Sequence, residues 1–166
     1  MLGDGCFSHV NTTPQRIVNL MLDGLGIAYE NEHKFFNYSI DNYLCDKRLC
    51  VEVMGDYWHC SPMKYKNIAH KAQYKAVSRD IAKRLVINEL SFMNGNVLYL
   101  WEWDILNRPI LCSKLLKTFY MNSGLLADYN SFNYHVDNNE LKYRFVAMPY
   151  QEMSQEDVNR LYAEAV

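Results

Sequence analysis

An α/β architecture, a mixed β-sheet flanked by helices, is what the apolar pattern of this chain specifies. Three observations carry that reading. The apolar spacing alternates between helical and extended periods in the order helix, strand, strand, helix, strand. The length, 166 residues, is that of one ordinary domain. The 49% apolar and 22% charged shares suit a globular core that needs no disulfides to fold.

The first element runs from Thr13 to about Gly24. Thr12 or Thr13 can cap it, Pro14 suits its first turn, and Ile17, Leu20, Met21 and Leu25 follow helical spacing before Gly24 and Gly26 end it. Ile27–Phe36 is expected to be an extended arm. Tyr38–Leu44 and Leu49–Met54 read as strands joined by a tight turn at Asp46-Lys47, and Gly55 closes the second. Ala76, Val77, Ile81, Leu85 and Leu90 form one apolar stripe, which predicts a helix over Ala72–Met93. Asn94-Gly95 marks a turn, and Asn96–Trp103 reads as an aromatic-rich strand. Pro109 opens a helix to about Met121. Asp128–Val136 and Glu140–Ala147 read as a hairpin around Asp137-Asn138-Asn139. Ser154 with Asp157 three residues on is a capping pattern, so a last helix is expected to about Ala165. There is no repeat and no sharp linker. The expected organisation is a core over 1–105 and a hairpin-plus-helix extension over 106–166 packed on it.

Composition narrows the function classes. Seven Gly and four Pro exclude collagen and argue against long disorder. The apolar runs are too short for a membrane-spanning helix, and MLGDGCFSHVN shows no basic segment followed by an apolar one. Five Cys then read as reduced thiols in a cytoplasmic protein. The net charge of −2 hides an asymmetry: residues 64–84 carry +6 and the rest of the chain −8. Lys64, Lys66, Lys71, Lys75, Arg79, Lys83 and Arg84 stand against Asp80 alone. A local basic stripe on an acidic body suits a polyanion; the plainer reading is a solvated helix face.

The chemistry concentrates in residues 38–60, YSIDNYLCDKRLCVEVMGDYWHC. With Asp46-Lys47 as a two-residue loop, paired residue numbers sum to 93 and Asp41 lies opposite Glu52. Facing carboxylates repel unless compensated, and Mg²⁺ is bound by one or two carboxylates together with phosphate oxygens. Gly55 lets the strand end sharply, and His59 is thrown out near the acids, where an imidazole can move a proton near neutral pH. A lone His is otherwise structural. Trp58 is a core residue or a base-stacking platform. Asp80 is a further ligand for metal or water, or an i,i+4 partner of Arg84. Cys45, Cys50, His59 and Cys60 contain no CxxC pair, so no structural zinc is expected.

The run of Tyr38-Ser39-Ile40-Asp41, Val51 to His59, Arg79-Asp80 and Leu98-Tyr99-Leu100-Trp101-Glu102 resembles the very-short-patch mismatch-repair endonucleases. It also resembles the homing endonucleases with a Glu-Asp-x-His-Asp site; both belong to the PD-(D/E)XK nuclease superfamily. The resemblance spans about Thr13–Ile105 and implies a restriction-endonuclease-like core. It implies Asp41 as central metal ligand, Glu52 as the acidic motif member, His59 as catalytic histidine and Asp80 as the acid that orients it. There are departures. The lysine expected two residues after Glu52 is Met54, so His59 or a helix lysine such as Lys71 or Lys75 would take its role. The first-helix Glu falls near Gln15, which can still hydrogen-bond a metal-bound water, while Glu30 and Glu32 would have to fold back. The zinc-ligand positions of the repair enzymes fall at Asp56, Ser61 and Met63, so that zinc is not carried over and the homing or mobile-element type fits better.

The expectation is therefore a Mg²⁺-dependent DNA endonuclease, with Mn²⁺ as a substitute, of bacterial or phage origin. Lys64, Lys66, Lys71, Lys75, Arg79 and Lys83 would contact the backbone of double-stranded DNA. A homodimer, or a fused or separate DNA-reading module, would be the further partner. Residues 129–135, alternating aromatic and amide side chains, would read bases or pack as a plain hairpin. The rivals are a DNA binder that kept the fold and lost activity, and an interaction module whose acids are ordinary ion-pair partners.

Overall fold

The computed structural model describes residues 12–89 and 96–146, together with 156, 157, 159, 160 and 163. The predicted turn at Asn94-Gly95, the end of the helix at Leu90–Met93 and the cap at Ser154 lie outside these residues; 156, 157, 159, 160 and 163 are helical.

Helix α1 (Thr13–Leu25) starts after Thr12 in extended conformation and ends at Gly26, whose φ of 69° is left-handed. Strand β1 (Glu30–Phe35) forms within the expected extended arm and joins the sheet. It is antiparallel to β2 (Tyr38–Leu44), which is antiparallel to β3 (Leu49–Met54). Helix α2 (Lys71–Glu89) then returns the chain to β4 (Val97–Trp101), parallel to β3. The sheet order is β1-β2-β3-β4, a mixed four-stranded sheet. Helices α3 (Glu102–Asn107) and α4 (Pro109–Met121) follow, then a 3-10 turn (Ser131–Asn133) and the hairpin β5 (Tyr134–Asp137) and β6 (Glu140–Tyr143).

The β2–β3 register is the expected one: Asn42 faces Val51, Tyr43 faces Cys50 and Leu44 faces Leu49. The loop, however, is four residues, Cys45–Arg48, rather than two. Arg48 adopts φ 55°, so it turns the chain instead of pairing with Cys45.

The sheet is covered on both faces. On one, Leu44, Leu49, Val51, Leu98 and Leu100 meet Val18 and Leu22 of α1 and Leu111, Leu115, Leu116 and Phe119 of α4. Each such fully buried side chain is worth about 1.5–3 kcal/mol over its exposed state. On the other, Tyr43, Cys50 and Val97 meet Ile87 of α2.

The apolar stripe assigned to α2 needs correcting. Leu85 is exposed, while Val77 and Ile81 pack on Cys60 and Ile87 packs on the sheet. The face at positions 76, 80, 83 and 87 turns to the sheet, so the part read as solvent side carries Asp80 and Lys83 inward. The strand expected to reach Trp103 stops at Trp101, and α3 begins at Glu102. The expected first hairpin arm from Asp128 begins only at Tyr134. Residues 129–131 run beside β4 instead: Tyr99 N–H donates to the Tyr129 carbonyl at 2.8 Å and Trp101 N–H to Ser131 Oγ at 2.9 Å. Phe132, Asn133 and Tyr134 are buried, so this segment packs on the core and is not a free base-reading ribbon.

Candidate active site

A cleft of about 760 Å³ opens where β2 and β3 leave the sheet beneath α2. Gln15, Asp41, Glu52, His59, Asp80 and Lys83 all line it, although they come from four separate stretches of chain.

The acids are held by the sheet itself. Asp41 N–H donates to Glu52 Oε1 at 2.9 Å, and Val53 N–H donates to Asp41 Oδ2 at 2.8 Å. Burial and the neighbouring Glu52 charge push the Asp41 carboxyl up to about 8. Gln15 reaches in from α1 and its Nε2 donates to Asp41 Oδ1 at 3.3 Å. Its Oε1 is buried with no hydrogen-bond partner.

The sequence reading placed Lys83 on the DNA-facing surface. Its side chain is instead 17% exposed, ion-paired with Glu52 and donating to the Ser39 carbonyl at 2.8 Å. Burial acts against the Lys83 charge, but Glu52 and Asp41 outweigh it and raise the ammonium above its ordinary range. Lys71 and Lys75, offered as replacements for the missing strand lysine, are exposed and do not line the cleft. Lys75 lies eight residues from Lys83, roughly 12 Å along the helix axis, so the two cannot exchange roles. Met54, at the motif position, is buried against Trp101 and Phe132.

His59 is presented by the turn after β3, where its N–H donates to the Gly55 carbonyl at 3.0 Å. Its Nδ1 lies 2.5 Å from Asp80 Oδ2 on α2. Burial works against the imidazolium, but the Asp80 charge and hydrogen bond prevail, and the histidine is raised above its usual value. Asp80 thus pairs with His59, across the cleft, and not with Arg84.

Glu32, which would have to fold back to reach the acids, does so. It lines the cleft from β1, accepts from Ser39 Oγ at 3.1 Å and adopts φ 52°. A left-handed glutamate costs of order 1–3 kcal/mol, and such strain clusters at functional sites. No sequence pattern signals it; only the β1–β2 register, unread in the arm, brings it beside Asp41. Glu30 instead lies 3.4 Å from His33.

Of the other expected phosphate contacts, Arg79 lines the cleft, donating to the Asn37 carbonyl at 2.8 Å and lying over the Tyr38 ring. Lys64 pairs with Asp56 at 3.2 Å, outside the cleft, and Lys66 is exposed. Trp58, 58% exposed at the cleft wall, is not a core residue.

No group of three or more His, Cys, Asp or Glu positioned to share a metal occurs among the described residues. The donor set still suits Mg²⁺. Two carboxylates face each other, and the Gln15 amide oxygen beside them lacks a donor.

No family model matches the chain, and no curated protein matches it. Among solved structures, the catalytic domain of the homing endonuclease I-Bth0305I is similar, with 24% identity and a TM-score of 0.50. The match covers 68% of this chain and 98% of that one. At that identity the likeness is one of fold.

Proposed function

We propose that the chain is a metal-dependent DNA endonuclease that hydrolyses phosphodiester bonds, of the homing or mobile-element type within the PD-(D/E)XK superfamily. The observation that carries this is the meeting of Asp41, Glu52, Lys83, His59 and Asp80 in one cleft beside a basic helix. The fold shared with a homing endonuclease catalytic domain supports it. On this reading residues 1–105 are the nuclease core, and 106–166 are an addition that shares its interior through α4.

Asp41 and Glu52 would hold Mg²⁺, with the Gln15 amide oxygen beside them. The ion would supply charge for the scissile phosphate and a lowered pKa for water. Lys83, rather than a strand lysine, places a cation against the carboxylates. His59, fixed by Asp80, stands where a proton can be given or taken. Arg79 at the rim, with Lys66, Lys71 and Lys75 exposed on the same basic stretch, would hold the backbone of double-stranded DNA.

The departures at Met54 and Gln15 suggested a degenerate binder. Lys83 and the unpartnered Gln15 oxygen remove most of that motive, because a cation and an oxygen donor are both in place. The test is conversion of supercoiled plasmid with Mg²⁺, Mn²⁺ or EDTA. Nicking should require the metal and vanish in Asp41→Asn while DNA binding persists; cleavage undiminished in that variant would sink the scheme.

A further inference from the structure

The turn that carries His59 belongs to residues 55–70, which join β3 to α2 with little regular structure. Within it His59 N–H donates to the Gly55 carbonyl, Cys60 N–H to the Tyr57 carbonyl and Ser61 N–H to the Asp56 carbonyl. These bonds shape the turn but do not set it against α2, where Asp80 stands. Cys60 does pack on Val77 and Ile81 of that helix, yet an apolar contact has no direction. The Tyr57 ring meets Tyr65 and His70 at 6.2 and 5.8 Å, which holds a side chain rather than the backbone.

The directional link is Gln73. It is fully buried, so it is shut off from any substrate. Its Nε2 donates to the Tyr57 carbonyl at 2.9 Å. Its Oε1 accepts from the Ala69 and His70 N–H groups, at 3.2 Å each. His70 is the residue before α2, and its carbonyl accepts from Tyr74 N–H at 3.1 Å. Gln73 is thus the third residue of the helix, the place from which Glu or Gln reaches back to cap the helix start. Glutamate would cap as well and suits the positive end of a helix better. Only the amide can also give a hydrogen to Tyr57. On α2, Gln73 and Asp80 are seven residues apart, two turns and about 10.5 Å along one face. The turn is therefore fastened to α2 at two polar points, the Tyr57 backbone on Gln73 and the His59 ring on Asp80.

We propose that Gln73 is a positioning residue for His59: through the Tyr57 carbonyl it sets the turn so that the imidazole meets Asp80 within the cleft. The effect on turnover rests on the nuclease reading; the placement of the ring does not.

The Asp80 carboxylate accepts, so His59 Nδ1 carries the hydrogen between them, and the downfield NMR signal of that hydrogen reports on the pair. Gln73→Met keeps the length and removes both hydrogen-bonding ends. Gln73→Glu keeps the helix cap and removes only the link to Tyr57. Asp80→Asn breaks the pair directly and gives the size of a full loss. With the full chain in EDTA, the His59 Nδ1 hydrogen should exchange with solvent about tenfold faster in both Gln73 variants, at unchanged circular dichroism. A Gln73 that serves the helix cap alone would leave exchange unchanged in Gln73→Glu. That result overturns the proposal whether or not Gln73→Met folds.

Plasmid nicking with Mg²⁺ is scored beside this. A displacement of about 1 Å can cost about a hundredfold in rate, so kcat should fall by about ten- to a hundredfold in Gln73→Glu. KM for DNA should not move, because Gln73 is buried away from the substrate. A raised KM at unchanged kcat would overturn the assignment. Faster exchange in the variants, with no cleavage by the parent chain, sinks the nuclease reading and leaves the positioning role standing. Cleavage by the parent, with exchange and kcat both unmoved in Gln73→Glu, sinks the positioning role alone.

Discussion

Asp41 and Lys83 make the cleft legible one residue at a time. A carboxyl pushed up to about 8 binds a proton in the folded state that the unfolded chain has released above its ordinary value near 4. Its contribution to stability is therefore full at low pH and is lost as pH rises through 8. His59 has the same sign, being raised by Asp80. In EDTA the melting temperature should fall from pH 5 to pH 9, and Mg²⁺ should flatten that fall, its stabilisation growing with pH as the proton on Asp41 is displaced. A Mg²⁺ effect that shrank as pH rose would contradict the assignment of Asp41 as ligand. Lys83→Met leaves Glu52 without its cation, and breaking a buried pair costs roughly 3–5 kcal/mol. Chemical denaturation should show a loss of that order in EDTA, partly restored by Mg²⁺. For His59, Asp80→Asn removes the charge that raises it, so the imidazole resonance followed by NMR should titrate at lower pH than in the parent chain. An unmoved titration would mean that Asp80 neither orients nor charges the histidine.

The elements differ in how plainly the sequence announces them. The β2–β3 pair is announced by its turn signal: the loop is four residues and not two, but it widens evenly about the same centre, so the expected pairs form from Asn42–Val51 to Leu44–Leu49 and Asp41 lies beside Glu52. Strand β1 is not, because Glu30–Phe35 is polar nearly throughout and its burial shows no alternation. For that reason the sequence offers Glu32 only as a residue that would have to fold back. On α2 the apolar count misled: two different faces are buried, and the one over the site carries Asp80 and Lys83, which a hydrophobic tally scores as solvent. Six residues of α3 leave too short a pattern to read. The ends of α1 were correctly placed and permit a paired prediction. Gly24 is helical with nothing within 4 Å of an added Cβ, so Gly24→Ala should stabilise by about 0.5–1 kcal/mol. Gly26 sits at φ 69°, so Gly26→Ala should destabilise by about 1 kcal/mol. Equilibrium denaturation of the two variants checks both signs.

At the scale of the whole molecule, one interior joins both halves of the chain. Val18 and Leu22 from the first helix pack in the same cluster as Leu111, Leu115 and Phe119. Removing everything after residue 105 would strip one face of the sheet, and such a truncated chain is expected to be insoluble or molten by near-ultraviolet circular dichroism. A sharply folded truncation would show that the core stands alone. The strip of chain lying along β4 has a consequence for assembly. An open strand is a template on which another copy can add, and the rim at β4 has its amides at Tyr99 and Trp101 already taken by residues 129–131. The opposite rim, β1, is six residues of mostly charged and amide side chains interrupted by the left-handed Glu32. Among the described residues, then, the sheet offers no smooth border for strand-by-strand growth. Copies of this chain therefore gain little by adding a strand at either margin of the four-stranded sheet.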